Sequence, residues 1–272
     1  MAEPTGLRLF LKAIRARSYP RLKSVFRNRA WLFTEITLPL LGTVAMVYVY
    51  QALRAPRAWL GFVVLGGAMM AFWQNVLWSM GTQFYWDRAE GNLEIYCVAP
   101  SPLTGILLGM ALGGIVISLT RALAIITVSS LLFGVGYRAG GVLPALGVFA
   151  VSLAALYCLG MLMASLFLFY GREVWHLAEA FQEPVYFLSG FYFPVRTLGA
   201  LVGGAASLIP LTLGLDAIRQ LLVPGTPVFF PIGWELAAVA VQVPIYAVAS
   251  QLALARLEYQ SRRDGRLIVR TS

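Results

Sequence analysis

Five long apolar runs dominate this sequence and restrict the folds it can adopt. They lie at about residues 31–53, 58–84, 103–134, 142–170 and 232–255. A helix that crosses a hydrocarbon core of ~30 Å needs about 20 mostly apolar residues, and each run reaches that length. Charged residues make up only 12% of the chain, about half the share that is usual in soluble domains. We therefore expect an all-α integral membrane protein.

The net charge of +9 comes mainly from two basic clusters near the chain ends. One lies within residues 8–29 and the other within 256–270, so each flanks an apolar run. This placement indicates contact with an anionic cytoplasmic leaflet and not with nucleic acid. Residues 1–30 mix apolar and basic side chains and lack the apolar core of a cleaved signal. They predict an amphipathic helix at the inner interface, with Pro20 as a break, and a first span that is retained.

The number of spans depends on the region between the fourth run and the last. Residues 174–195 are apolar but contain two glutamates and a proline, and residues 197–222 are rich in glycine. Seven crossings would place the two basic ends on opposite sides, which the positive-inside rule disfavours. We therefore predict six spans, with 174–195 as the fifth and 197–222 as a re-entrant hairpin at the outer face. Both termini, including the tail 256–272, are then cytoplasmic, and residues 1–272 form one domain.

Several enzyme classes lack their essential residues in this chain. A phosphate loop needs a lysine directly after a glycine, but both Lys12 and Lys23 follow leucines. The single histidine, His176, excludes a histidine-pair metalloprotease and disfavours an intramembrane hydrolase. Cys97 and Cys158 fall in a polar loop and in an apolar run, which gives no disulfide framework. We expect no cofactor and no metal in this chain.

A charged inner loop at residues 85–102 separates the second run from the third. It contains acidic side chains on a side that is otherwise basic, followed by apolar residues and two prolines. This pattern predicts a short amphipathic helix that meets a protein partner. An ordinary polar loop is the alternative interpretation.

Two long strings of the sequence resemble those of a known family. DRAEGNLEIYCVAPSPLTGILLG, at 87–109, is similar to the segment that follows the second span in permeases of the ABC-2 transporter type. EPVYFLSGFYFPVRTLGALVGGAASLIPLTLGLDAIRQLL, at 183–222, resembles that family's fifth span and outer hairpin. Leu198-Gly199 departs from the family's pattern, because Leu-Pro frequently occupies these two positions in the family. Members of that family have six spans, both termini in the cytoplasm and a basic N-terminal helix.

The resemblance implies a transport subunit of an ATP-driven exporter. Two permeases would pair as a homodimer or a related heterodimer, and two ATPase subunits would bind the ATP and Mg. The implied ATPase-coupling residues are Asp87, Arg88, Glu90, Gly91, Leu93 and Glu94. The implied translocation path or outer gate contains Glu179, Glu183, Pro184, Ser189, Gly190, Phe193 and Pro194. The implied outer hairpin is closed by Pro210, Leu211, Thr212, Asp216 and Arg219.

Charges inside apolar spans are costly, and they are usually functional or paired. Glu35 and Arg121 are expected near opposing interfaces, where long side chains reach water cheaply. Glu179 and Glu183 are one helical turn apart, so they are expected to line a path or to pair across a dimer. The third run begins with small residues every fourth position, which predicts close helix packing within or between subunits. These residues are Gly105, Gly109 and Gly113.

The aromatic residues of 174–195 favour an amphipathic substrate for the expected exporter, such as a lipid, glycolipid, polysaccharide or antibiotic. We expect the protein in the cell inner membrane, surrounded by membrane lipids. A secondary transporter, a membrane enzyme of lipid metabolism and a membrane scaffold are the alternatives. The first commonly has two related halves, and none are visible here. A phosphotransferase would need clustered aspartates for a metal, and the acidic residues do not form such a cluster.

Overall fold

A computed structural model describes residues 6–92, 95–96, 103–170 and 174–264, and every regular element in those ranges is helical. The α-helices are α1 (Gly6–Arg27), α2 (Arg29–Ala52), α3 (Arg57–Gln74), α4 (Gln83–Ala89), α5 (Leu103–Phe133), α6 (Val142–Tyr170), α7 (Val174–Leu188), α8 (Gly199–Ala206), α9 (Pro210–Leu222) and α10 (Ile232–Asp264). A π-helix, Asn75–Gly81, joins α3 to α4, and 3-10 turns lie at Ala139–Gly141 and Val195–Leu198. The all-α prediction is confirmed for the described residues.

Within the described ranges, five helical segments are long and apolar enough to cross a membrane. They are Arg29–Ala52, Arg57–Ala89, Leu103–Phe133, Ala139–Phe167 and Ile232–Leu257, and they match the five apolar runs. The predicted fifth crossing, 174–195, contains only the 15-residue helix α7. At 1.5 Å per residue α7 is ~22 Å long, shorter than the hydrocarbon core. The six-span count and the re-entrant hairpin therefore stay predictions.

Helix α1 continues through Pro20, so the predicted break at this residue is wrong. A proline inside a helix loses one hydrogen bond and its ring crowds the preceding turn. Contacts with α5 hold α1 on both sides of this position: Phe10 and Ile14 pack before it, and Arg21 packs after it. Tertiary packing thus compensates for the local defect.

The predicted close packing at the three glycines is confirmed, and it occurs within the subunit. A Cβ on Gly109 would lie 2.7 Å from the carbonyl oxygen of Ile14 in α1 and 2.9 Å from Cβ of Arg17. Gly105 faces Phe10, and Gly113 faces Arg21. Both helices therefore run in the same direction along this contact, since the partners of α5 advance along α1.

The second span is longer and less regular than predicted. Helical structure continues from Arg57 to Ala89, so the predicted inner loop at 85–102 begins inside helix. The π-helical turn widens the backbone in the middle of this segment. Two of its carbonyl oxygens accept side-chain hydrogen bonds: Ser79 O from Arg21 Nη1 at 3.1 Å, and Trp78 O from Thr82 Oγ1 at 2.8 Å.

Helix α3 forms the centre of the packed core, and 11 of the 12 positions from Leu60 to Ala71 are buried. It packs against α2, α5 and α9, while α6 packs against α9, α10 and the π-helix. Such complete burial explains why this span is apolar on all sides, with no polar face. Cys97 and residues 171–173 lie outside the described residues.

Candidate functional site

Asp87 lies at the C-terminal end of the second span and is bound by the first helix. Its carboxylate receives two contacts of 2.9 Å from Arg17 Nη2 and one of 3.2 Å from Gln83 Nε2. Its side chain is only 2% exposed, whereas that of Arg17 is 30% exposed. The Arg17 guanidinium also lies 5.5 Å from the ring centroid of Tyr96. Asp87 therefore holds α4 against α1 and is shielded from any partner.

The neighbouring acidic residue is placed differently. Glu90 is exposed directly after α4, and its carboxylate accepts a hydrogen bond of 2.9 Å from Asn92 Nδ2. Gly91 ends the helix with φ +78°, a conformation that favours glycine. Arg88 is half-buried. Leu93 and Glu94 lie outside the described residues, so this part of the predicted coupling segment stays a prediction.

Helix α7 carries both predicted path glutamates on an exposed face. Glu179 accepts a hydrogen bond of 3.1 Å from Trp175 Nε1, and Glu183 accepts one of 3.3 Å from Gln182 Nε2. Pro184 lies inside α7 and is exposed. Gln182 also contacts Trp78, which fixes α7 to the π-helix. Both glutamates are thus exposed on the surface of the described subunit.

The chain turns sharply after α7. Ser189 and Gly190 are buried, and Gly190 has φ +65°. A Cβ on Gly190 would lie 2.6 Å from Val195 Cγ2 and 2.8 Å from the carbonyl oxygen of Phe193. Pro194 is buried and precedes the 3-10 turn. Glycine is therefore required here for both the backbone conformation and the close packing.

Helix α9 contains the residues predicted to close the hairpin, and every one is buried. They are Pro210, Leu211, Thr212, Asp216 and Arg219. Pro210 occupies the first turn of the helix, where its missing N–H costs nothing. The first-turn hydroxyl of Thr212 has no hydrogen-bond partner among the described residues.

Arg219 joins α9 to both α3 and the turn after α7. Its Nη1 donates to Gly190 O at 2.7 Å, and its Nη2 donates to Phe191 O at 2.6 Å and to Phe62 O at 2.9 Å. Its Nε donates to Phe62 O at 3.1 Å, and its Cζ lies 3.4 Å from the centroid of the Phe62 ring. The side chain is 1% exposed. Arg219 therefore joins α9 to two other segments through backbone acceptors.

Gly66 lets the turn approach α3 closely enough for this contact. A Cβ at this position would lie 1.6 Å from the carbonyl oxygen of Phe191 and 2.7 Å from Arg219 Nη2. No side chain fits in that space. Arg219 and Gly66 thus contribute to the position of the turn after α7, together with the hydrogen bond from the Tyr50 hydroxyl to Tyr192 O.

A second polar group on α9 involves Glu235, for which no role was predicted from the sequence. Glu235 is buried and accepts hydrogen bonds from Gln220 Nε2 at 2.8 Å and from Phe230 N at 3.3 Å. Asp216 accepts a hydrogen bond of 3.0 Å from Phe229 N. The sequence contains a signal for this group, because Glu235 lies in the first turn of an apolar span and a carboxylate there is costly unless it is hydrogen-bonded. The group connects α9 to the start of α10.

Glu35 and Arg121 form an ion pair between α2 and α5. The expectation that they lie near opposing interfaces is therefore wrong. Arg121 is 6% exposed, and a buried guanidinium strongly favours a carboxylate partner. Sequence separation hid the pairing, because charges 86 positions apart give no periodic signal.

The predicted residues fall into separate groups, and the second span connects two of them. Arg219 binds this span at Phe62, and Arg17 binds it at Asp87. These positions are 25 residues apart along nearly continuous helix, roughly 35 Å. One packed element thus contacts both groups.

A family model described as ABC-2 type transporter matches residues 12–223 of the 272-residue chain. The match includes the acidic segment after the second span, α7 and all of residues 197–222. No curated protein matches the sequence.

Proposed function

The chain belongs to the ABC-2 type transporter family, and from that premise we propose that it is the permease subunit of an ATP-driven exporter. It is a multi-pass membrane protein and a transport component. The proposed exporter resides in the cell inner membrane with both chain termini in the cytoplasm. The ATPase is a separate polypeptide that binds the ATP and Mg.

The observation that carries the mechanism is the contrast between Asp87 and Glu90. Asp87 is buried against Arg17, which fixes the end of the second span to α1. Glu90 is exposed three residues later. A fixed base that presents an acidic tip is suited to dock on a basic cleft of a partner subunit. We assign Glu90, Gly91, Leu93 and Glu94 to the ATPase contact and Asp87 to its support.

The proposed transport step passes along the second span. ATP-driven closure of two ATPase subunits would displace the acidic segment, and the packed helix would move the outer turn that Arg219 holds. The exposed carboxylates of α7, Glu179 and Glu183, would line the path or the contact with a second permease. That second permease is a copy of this chain or a related chain.

The proposed substrate is an amphipathic, lipid-linked or drug-like molecule. Exposed aromatic side chains on α7 support this class, because they offer apolar contact beside the two glutamates. They are Trp175, Phe181 and Phe187. A secondary transporter, the alternative, would not need a partner ATPase.

The test is the replacement of the acidic tip. Glu90→Ala with Glu94→Ala should leave the protein inserted and monodisperse, since Glu90 faces water, but should uncouple it from the ATPase. A charge-assisted hydrogen bond contributes about 1.5–3 kcal/mol, so the ATPase subunit should co-purify at least about tenfold less well. Substrate-stimulated ATP hydrolysis should fall with it.

Glu90→Gln is the matched control for shape, because glutamine can still accept the bond from Asn92 Nδ2. It should weaken ATPase binding if the carboxylate charge is needed, and Asn92→Ala should have little effect. Normal co-purification, hydrolysis and transport in the double variant would refute the coupling role.

A further inference from the structure

A cavity of about 620 Å³ lies between α1, α2, the π-helix and α5. Its wall contains three arginines, Arg17, Arg21 and Arg121, and one carboxylate, Glu35. Side-chain amides of Gln74, Asn75 and Gln83 also line it. Its size is that of pockets that hold small molecules, about 300–1,000 Å³. It is distinct from the ATPase-facing tip and from the outer hairpin.

The cations in this wall are incompletely neutralised. Arg17 is paired with Asp87, which lies outside the wall, and Arg121 is paired with Glu35. Arg21 has no carboxylate partner in the part of the chain that the structure describes, and its Nη1 donates only to Ser79 O. A desolvated cation without a counter-charge is unfavourable, so the cavity attracts an anion.

Two further observations agree with an anion site. Burial is the main cause that lowers the pKa of Arg21 to about 10; Tyr157 and Asp87 act against it, and the charges of Arg17 and Arg121 act in the same direction as burial. The guanidinium of Arg21 is therefore repelled by the other two. Arg21 remains protonated at neutral pH. The buried Nε of Arg121 has no hydrogen-bond partner among the described residues. An anion in the cavity would relieve the repulsion between the guanidinium groups.

One edge of the cavity is apolar and exposed. Leu38 is 64% exposed and Trp31 is 40% exposed, and both belong to the first spanning helix. Pro39 and the buried Val25 also line the cavity. A ligand bound here therefore meets guanidinium groups at one end and a hydrocarbon-compatible surface at the other.

We propose that this cavity holds the phosphate group of an anionic amphiphile, with its hydrocarbon chain leaving past Leu38. Guanidinium groups bind phosphate oxygens through paired N–H donors, which matches the three arginines. Trp31 packs at the level where the head group meets the chain. The test of this site needs no partner ATPase.

The experiment measures lipid binding to the purified full-length chain in neutral detergent by native mass spectrometry. Dioleoyl phosphatidylglycerol is the anionic probe, dioleoyl phosphatidylcholine is the zwitterionic probe, and inorganic phosphate is the free anion. The wild type should bind phosphatidylglycerol at least about tenfold more tightly than either of the others. Arg21→Gln should remove most of this preference.

Arg27→Gln is the matched control, because Arg27 lies on the same helix and is exposed. It removes the same charge and should change affinity by less than about twofold, within the range of surface substitutions. Equal weakening by both variants would reduce the effect to general surface charge and overturn the site. Inorganic phosphate binding as tightly as phosphatidylglycerol would overturn the amphiphile. If Arg21→Gln fails to fold, the comparison of the three probes on wild-type protein still decides.

Discussion

The guanidinium of Arg17 and the carboxylate of Asp87 meet in two 2.9 Å contacts across 70 positions of sequence. Removal of one partner leaves the other charge uncompensated, and Asp87 is the more buried of the two. Arg17→Gln and Asp87→Asn should each lower the free energy of unfolding, by about 3 kcal/mol for a pair of this burial. The double variant should cost clearly less than the sum. Chemical denaturation in detergent micelles measures the cycle.

Additive costs in that cycle would mean that the two side chains do not interact. The control is Arg15→Gln, which removes an exposed charge from the same helix. It should be nearly neutral, within about 0.5 kcal/mol.

Arg219→Met should destabilise the protein strongly. Methionine preserves the apolar stem, but Phe62 O, Gly190 O and Phe191 O lose their donor inside the core. Each unsatisfied acceptor costs about 1–3 kcal/mol, which predicts a loss of at least about 2 kcal/mol. Arg196→Met, at an exposed position of the same hairpin, is the control. Equal thermal midpoints for the two variants would contradict the role of Arg219.

Gly66→Ala should displace the turn after α7, because the new Cβ would lie 1.6 Å from Phe191 O. Gly42→Ala is a matched control in a neighbouring spanning helix, since a Cβ there meets nothing within 4 Å. Alanine is favoured over glycine inside a helix by about 0.5–1 kcal/mol. Gly42→Ala should therefore stabilise the protein slightly and Gly66→Ala should destabilise it. The same sign for both shifts in thermal midpoint would exclude this packing.

The side of each terminus follows from the number of crossings. In a background with Cys97 and Cys158 replaced by serine, Ser18→Cys and Ser261→Cys report on the two ends. Six crossings predict that both react with a membrane-impermeant maleimide only from the cytoplasm. Five crossings, the number of long helices among the described residues, would expose Ser261→Cys on the outer side. Labelling at that position from outside would therefore contradict the six-span prediction.

The helices of the spans could be predicted from the sequence because apolar length alone determines them. Arg29–Ala52 and Leu103–Phe133 correspond closely to the runs at 31–53 and 103–134. Gly109 could be predicted as a packing residue, because small side chains at a four-residue spacing permit close approach of two helices. Helix α7 was harder, since its glutamates and proline weaken the apolar signal.

The pairings could not be predicted, because each joins side chains far apart in sequence. Glu35 and Arg121 each appeared as an isolated charge in an apolar run, and only the packing of α2 on α5 brings them together. Pro20 illustrates the opposite case. Its local preference predicts a break, but contacts along α5 outweigh that preference. Asp87 and Glu90 are both acidic and lie three residues apart, so the sequence does not distinguish them. They differ in exposure, because Arg17 covers Asp87 and leaves Glu90 in contact with solvent.

The way in which Arg219 binds has a consequence for how this chain can vary among relatives. All of its hydrogen bonds go to main-chain oxygens, and every residue type supplies such an oxygen. Substitution of the side chain at 191 leaves the acceptor in place, so position 219 should show little pairwise covariation with it. The restriction falls instead on steric room, at the glycines 66 and 190. In an alignment of relatives, the turn after α7 should show invariant residues at these isolated positions and no pairs of positions that covary.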